Sequence, residues 1–280
     1  MLHLTKNQLT AIKWLSIYKY LTSSQFVKMG LFKRRAYLTT SLKSLLNMKK
    51  PFIDKHDYNP INGKVESLYY LTNHGKKFLV EELEYNESQI KAPRGFSTNS
   101  LKDYFHRRYT IDFHIALNQW LLKNNGKIQF LNYYFDKAGN NRDKGMNKKV
   151  TALNRITFKN GVSFIPDINA MFTLSNKDHL FLFEQHNGKD AKRLFEQLYT
   201  HIIAIAKGVV SNRYNHKNKG HRVVVICEEE SVKSSVINRL SKENGIEHYN
   251  SFFIFKTNDE LEKDFYSNWT LINGEHVNFL

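Results

Sequence analysis

A short turn signal in the second half of the chain constrains the fold more than any other feature. Asn160–Gly161 separates two runs in which apolar and polar residues alternate, LNRITFK and VSFIPDINAMFTL. Asn-Gly between such runs is the strongest short-range indication of a β-hairpin. Further apolar runs of strand length, LFLFE, HRVVVICE and SFFIFK, alternate with segments of helical periodicity. This half is therefore predicted to form an α/β (α+β) domain with helices on both faces of a sheet.

The first 85 residues have a mostly helical pattern instead. Apolar residues at three-residue spacing predict a helix over residues 6–21, and a short helix, SSQFVKMG, follows. A third helix is expected over residues 33–48, with Ala36, Leu42 and Leu45–Leu46 facing the core. Two strands around the polar loop HDYNPINGK and a helix that starts at Thr72 or Asn73 complete the segment. This is the element order of a winged helix-turn-helix module.

The third helix carries the side chains expected to contact DNA. Basic groups are suited to phosphates, and short hydroxyl side chains can reach base edges in the major groove. Such residues occupy the start and the outer face of this helix: Lys33, Arg34, Arg35, Tyr37, Thr39, Thr40 and Lys43. A small helical domain that makes only protein contacts is the alternative for this segment.

Net charge favours a nucleic-acid partner. The 42 Lys and Arg outnumber the 26 Asp and Glu, which gives a formal charge of +16 that attracts polyanions. Attraction to a membrane surface would need a basic amphipathic helix, and none is evident. No apolar run approaches the roughly 18 residues of a membrane span, and the first residues lack the apolar stretch of a signal peptide. The single Cys227 fits a reducing compartment, so we expect a cytoplasmic protein.

Composition also indicates where the domains meet. Residues 86–102, NESQIKAPRGFSTNSLK, interrupt the periodicity with proline, glycine and polar residues, as linkers do. We therefore expect a DNA-binding domain over residues 1–85, a linker over 86–102 and a second domain over 103–280.

Two acidic residues of the second domain suggest a metal site. Asp167 follows Pro166 where a strand begins, and Glu184 ends the next apolar run. On adjacent strands of one hairpin, both carboxylates would lie near the same sheet edge. Paired carboxylates offer the oxygen ligands that Mg²⁺ or Mn²⁺ requires, and leave positions for water and phosphate.

The segments FIPDIN and FEQH, followed by a helix, resemble the PD-(D/E)XK pattern of restriction-endonuclease-like nucleases. The resemblance implies a mixed-sheet nuclease fold in which Asp167 and Glu184 bind metal. Asp112, on the helix before the sheet, is the candidate that completes the site. Where the family has lysine, this chain has His186, so either His186 or Lys189 takes that role.

The predicted winged helix is followed by the helix FHRRYTIDFHIAL, then by the Pro-Asp pair and by a strand that ends in an acidic residue. This order of elements is similar to that of the replication-relaxation family, which includes MobC-type plasmid mobilisation relaxases. The resemblance implies nicking of plasmid DNA at a transfer origin, with a coupling ATPase and other relaxosome proteins as partners. It also places His106 in the active centre. Two alternatives stay open: a non-catalytic DNA-binding regulator and a restriction-type enzyme that cuts both strands. A homodimer is compatible with the sequence.

Overall fold

A computed structural model describes residues 4–32, 34–58, 65–93, 103–138, 150–217 and 220–280. The chain divides into two compact units, Met1–Ile115 and Ala116–Leu280. Lys33, one of the side chains expected to contact DNA, lies outside the described residues.

The first unit is mainly helical. Its described elements are α1 (Lys6–Tyr18), α2 (Ser23–Lys28), α3 (Arg35–Leu46), β1 (Ile53–His56), β2 (Leu68–Leu71), α4 (Asn73–Glu81), a 3₁₀ turn (Glu87–Gln89) and the first part of α5 (Tyr104–Lys123). Threonine hydroxyls accept hydrogen bonds from backbone N–H groups at the starts of α1, α2 and α4, as N-caps do. The predicted order of three helices, a hairpin and a helix is confirmed.

Packing of α3 differs in one respect from the expectation. Leu38, Leu42 and Leu45 are buried, whereas Ala36 is exposed. Each helical residue advances by about 100°, so Ala36 points away from the face that carries Leu38. The placement of Ala36 in the core was therefore wrong, and Leu38 takes that position.

The second unit is built on a mixed sheet. After the end of α5 its described elements are β3 (Lys127–Tyr133), β4 (Lys137–Ala138), β5 (Thr151–Ala152), β6 (Ile156–Thr157), β7 (Ser163–Phe164), β8 (Ile168–Leu174), β9 (Lys177–His186), α6 (Ala191–Ala206), α7 (Val209–Arg213), β10 (Arg222–Cys227), α8 (Glu230–Leu240), a 3₁₀ segment (Ile246–Phe252), β11 (Phe253–Thr257), α9 (Asn258–Lys263), β12 (Trp269–Thr270) and β13 (His276–Val277). Within these ranges the main sheet has the order β13-β12-β11-β10-β9-β8-β3. β9, β10 and β11 are parallel, and the other neighbours are antiparallel. The predicted mixed α/β class is confirmed.

Both faces of this sheet are covered by apolar side chains. On one face, Leu198 and Ile202 of α6 belong to a core cluster with residues of β10, α8 and β11. On the other, the ring of Phe279 contacts those of Phe172 and Phe181. Trp120 packs edge-on against Phe279, with ring centroids 5.6 Å apart. In the described parts of the chain, no helix is long and apolar enough to cross a membrane.

Candidate metal-binding carboxylate site

Asp167 and Glu184 lie opposite each other on neighbouring strands. β8 and β9 are antiparallel, and Ile168 pairs with Phe183. The residue before Ile168 therefore meets the residue after Phe183. The two acidic residues are therefore neighbours as expected, although Asp167 lies one residue before β8 and not within it.

Backbone hydrogen bonds hold Asp167 in this position. Its N–H donates to the Phe183 carbonyl at 3.0 Å, and its own carbonyl accepts from the Tyr134 N–H at 2.9 Å. The side-chain Oδ2 accepts from the Gln185 N–H at 2.7 Å. Because three bonds to three different backbone positions fix the residue, its carboxyl group has little freedom to turn away from Glu184.

The two carboxyl groups form a buried pair. Asp167 is 8% exposed and Glu184 only 1%. Burial, and then the charge of the neighbouring Asp167, raise the pKa of Glu184 well above its usual value. Two ionised carboxylates side by side repel each other, so this environment favours the protonated form of Glu184.

Helix α6 supplies two further partners for Glu184. Gln197 Nε2 donates to Oε2 of Glu184, and His201 Nε2 lies 2.6 Å from Oε1. The two α6 residues are four positions apart, so they share one face of the helix. Each carboxyl oxygen of Glu184 is thereby fixed by a different side chain.

His201 lies in an apolar and aromatic environment. It is completely buried, and the Phe164 ring packs edge-on against it with centroids 5.0 Å apart. Burial and then the nearby His221 lower the pKa of His201 well below its usual value. The pKa shifts of Glu184 and His201 both favour the uncharged side chains. Burying an uncharged group costs less free energy than burying a charged one.

The two candidates for the lysine role have different environments. His186 is buried at the end of β9, two residues after Glu184 and so on the same face of the strand. Lys189 is exposed in the loop between β9 and α6. In that loop, the Gly188 N–H donates to Glu228 at 2.9 Å.

His106 and Asp112 belong to α5 within the first unit. The Asp112 carboxylate accepts a hydrogen bond of 3.1 Å from Gln25 Nε2 and lies 3.9 Å from Arg108 Nε. His106 is partly exposed, and its carbonyl accepts from the Thr110 hydroxyl at 2.8 Å. The roles that the family resemblance implies for these two residues stay predictions.

The carboxyl oxygens of Asp167 and Glu184 are the type of ligand that a hard divalent cation prefers, although the protein would supply only these two residues. Across the described ranges, no group of three or more His, Cys, Asp or Glu side chains is arranged to hold a metal ion. Asp167 and Glu184 nevertheless offer carboxyl oxygens whose mutual repulsion a divalent cation would relieve. Water and a phosphate oxygen would have to fill the other positions around such a cation.

The outer face of α3 presents the other set of predicted side chains. All of the described ones are exposed: Arg34, Arg35, Tyr37, Thr39, Thr40 and Lys43. Tyr37 is 62% exposed, an unusual fraction for an aromatic ring. Arg35 forms an ion pair with Glu66, and the Thr39 and Thr40 hydroxyls donate to backbone carbonyls one turn earlier.

Sequence reasoning did not identify Gln197 and His201. In the sequence, His201 is not part of any zinc-type ligand spacing. A different signal was available, because His201 interrupts the apolar stripe that Leu198, Ile202 and Ile205 make on α6. A polar residue on such a stripe needs a buried partner, and the acidic end of the preceding strand is the nearest candidate in sequence.

Comparisons of the chain with protein-family models, with curated proteins and with solved structures found no match.

Proposed function

We propose that this protein is a metal-dependent DNA endonuclease that nicks one strand and acts as a relaxase at a plasmid transfer origin during mobilisation. The observation that carries the proposal is the buried pair of Asp167 and Glu184, which the pairing of β8 with β9 places opposite each other. A structural carboxylate is normally paired with a cation, whereas these two carboxyl groups face each other. Such an arrangement suits a site that binds a cation from solution.

Mg²⁺ or Mn²⁺ fits this donor set. Asp167 and Glu184 would hold the ion, and Gln197 and His201 would keep Glu184 in place while each of its oxygens retains a lone pair. When bound, a hard divalent cation activates water or orients a nucleophile and offsets the charge that develops on the phosphate. His186 and Lys189 are the proposed orienting or proton-donating groups, with His106 and Asp112 as further candidates.

The element order supports a restriction-endonuclease-like domain. Asp167 directly precedes β8, Glu184 lies opposite it on β9 at the end away from the connecting turn, and α6 follows with two side chains on Glu184. This is the strand, acidic strand and helix succession that the PD-(D/E)XK resemblance implies.

The first unit supports a winged helix-turn-helix domain. Besides the β1–β2 pairing, Leu21 forms a bridge with Tyr69 of β2, so the chain between α1 and α2 joins the hairpin. α3 is left with one apolar face buried and the opposite face exposed. A recognition helix requires such a polar and basic outer face.

We extend the proposal to the partners that the family resemblance implies. The +16 charge favours plasmid DNA as the substrate, with a cytoplasmic location. A coupling ATPase and other relaxosome proteins would then receive the nicked strand, and a homodimer is compatible with this role.

The test is incubation of the purified protein with a supercoiled plasmid that carries its native replicon, in Mn²⁺, Mg²⁺ or EDTA. We expect open circles that depend on metal and disappear in Asp167→Asn. Glu196→Gln is the matched control, because this α6 carboxylate is 63% exposed and lies next to Gln197. Linear product in place of open circles would indicate the restriction-type alternative.

A non-catalytic DNA-binding regulator is the second candidate. The observation that favours it is that Glu184 already has Asp167, Gln197 and His201 as partners and is 1% exposed. A carboxyl group satisfied by its own protein can serve a structural purpose. Intact supercoils in every metal, together with tight binding to the same DNA, would favour the regulator.

A further inference from the structure

A small hairpin leads directly into the carboxylate site. β6 and β7 pair through Ile156–Phe164 and Thr157–Ser163, and Pro166–Asp167 follow two residues after β7 ends. We refer to residues 156–164 as the 156–164 hairpin. Since a chain extends at most about 3.6 Å per residue, the turn at Gly161 lies within roughly 22 Å of Asp167 along the chain.

The base of the hairpin is firmly anchored. Ile156 and Phe158 belong to a buried cluster with Leu180 and Leu182 of β9. Beside the hairpin, the Arg213 guanidinium of α7 donates to the carbonyls of Arg155 and Leu153, the latter at 3.0 Å. An element fixed at its base can hold its turn in a defined position.

The exposed part of this region is apolar where a surface turn is normally polar. Val162 is 58% exposed at the end of the hairpin, and Ile165, just after it, is 37% exposed. Leu153, just before the hairpin, is 41% exposed. Single exposed apolar residues are ordinary, but here three fall within 13 positions around one hairpin.

The charged residues carried by the hairpin and α7 are all basic. Residues 150–166 and 197–217, which form the hairpin, α7 and most of α6, include no Asp or Glu. Lys159 is exposed in the turn, and Lys207 Nζ lies 5.7 Å from the centre of the Phe158 ring. A positive surface with an apolar projection is complementary to a nucleic acid, whose phosphates surround apolar base faces.

We propose that the 156–164 hairpin is a DNA-contacting element, in which Lys159 and Lys207 approach phosphates and Val162 contacts a base or the wall of a groove. The inference rests on the proposed function and deepens it, because it assigns the strand-contacting surface next to Asp167. Apolar side chains inserted at a base step are a known means of distorting duplex DNA.

The test uses the full chain with the photoreactive residue p-benzoylphenylalanine in place of Val162. The protein is irradiated with the replicon DNA in EDTA, so that no cleavage is needed for the readout. The control carries the same residue in place of Leu122, which is 67% exposed on α5. We expect a crosslink to DNA from position 162 at least tenfold stronger than from position 122.

A second measurement addresses the charges. Binding of fluorescent replicon DNA is titrated at several salt concentrations for wild type and for the Lys159→Gln/Lys207→Gln variant. We expect the slope of log K against log salt to fall by about 1–2, because each lost phosphate contact releases about one counterion fewer.

The outcomes separate this inference from the proposed function. Crosslinks to DNA from position 162 support the hairpin surface even where no nicking is seen. Crosslinks to a second copy of the chain, or no crosslink to DNA in a complex that forms normally, overturn it while leaving the nuclease proposal standing. Absence of any DNA binding by the wild type overturns both.

Discussion

The His201 Nε2 atom lies 2.6 Å from Oε1 of Glu184, and both side chains are at most 1% exposed. A residue of α6 thus fixes the carboxyl group of a β9 residue within the core. Because a buried carboxyl group without a hydrogen-bond partner is costly, this contact contributes to stability as well as to the geometry of the site.

Removing the imidazole is expected to destabilise the second unit. His201→Leu keeps a side chain of comparable size but leaves Oε1 of Glu184 without this partner, so the free energy of unfolding should fall by about 1–3 kcal/mol. Chemical denaturation followed by circular dichroism measures it. His248→Leu is the matched control, because the His248 side chain is 78% exposed. Equal stabilities of the two variants would contradict the structural role of His201.

Acid should destabilise the protein through His221. Burial, and then the charge of His216, lower the pKa of His221 to about 3. Its pKa in the folded state is therefore below the unfolded value of about 6.5, and between these values the unfolded chain binds more protons. The contribution of His221 to the free energy of unfolding is fully present above about pH 6.5. It is lost by about 1.4 kcal/mol per pH unit as the pH falls toward 3.

The measurement is the free energy of unfolding at several pH values between 4 and 7. We expect His221→Phe to show a shallower dependence on pH than wild type, since the substitution removes a group that must stay neutral in the core. The control is His248→Phe, at an exposed position. Identical slopes for wild type and His221→Phe would show that His221 is not buried in its neutral form.

The outer face of α3 should contribute measurably to DNA affinity. Lys43→Gln removes one exposed cation, so the slope of log K against log salt should fall by about 1. Fluorescence anisotropy with labelled replicon DNA measures the slope, and Lys242→Gln, at an exposed position of the second unit, is the control. The same slope in both variants would favour the alternative that this unit makes only protein contacts.

Gly75 is required where α4 begins. A Cβ atom at this position would lie 2.1 Å from the backbone oxygen of Phe52, far inside van der Waals contact. Gly75→Ala must therefore shift the backbone, and we expect a loss of about 1–3 kcal/mol in unfolding free energy. Lys77→Ala, on the exposed side of the same helix, should change it by less than about 0.5 kcal/mol. A stable Gly75→Ala variant would contradict this packing.

Local signals in the sequence were sufficient to predict most helices and strands. Thr22 and Thr72 mark helix starts because their hydroxyls accept the first N–H groups, and the Asn160–Gly161 turn joins β6 to β7. Helix α8 lacks such a signal, because it starts at Glu230 after Glu229, which makes no capping hydrogen bond, and Ser231 lies inside its first turn. Helix ends fray by one or two residues, so the identity of Ser231 alone could not decide the first residue of α8.

The candidate site was predicted only in part, for a physical reason. Asp167 and Glu184 could be paired from the sequence because a short hairpin fixes the register between them. The contacts of Gln197 and His201 depend instead on how α6 rotates against the sheet, which side-chain packing determines. Short pairs such as β4–β5 likewise carry too few residues for a periodic signal.

Calorimetric titration of the metal-free protein with Mn²⁺ tests the central claim most directly. Because burial and Asp167 raise the pKa of Glu184, we expect metal binding at this pair to release a proton, so the observed enthalpy should vary with the ionisation enthalpy of the buffer. The account predicts one Mn²⁺ per chain in wild type and in Glu196→Gln, with proton release, and none in Asp167→Asn. Absence of binding by wild type, with or without DNA, or unchanged binding by Asp167→Asn, would contradict it.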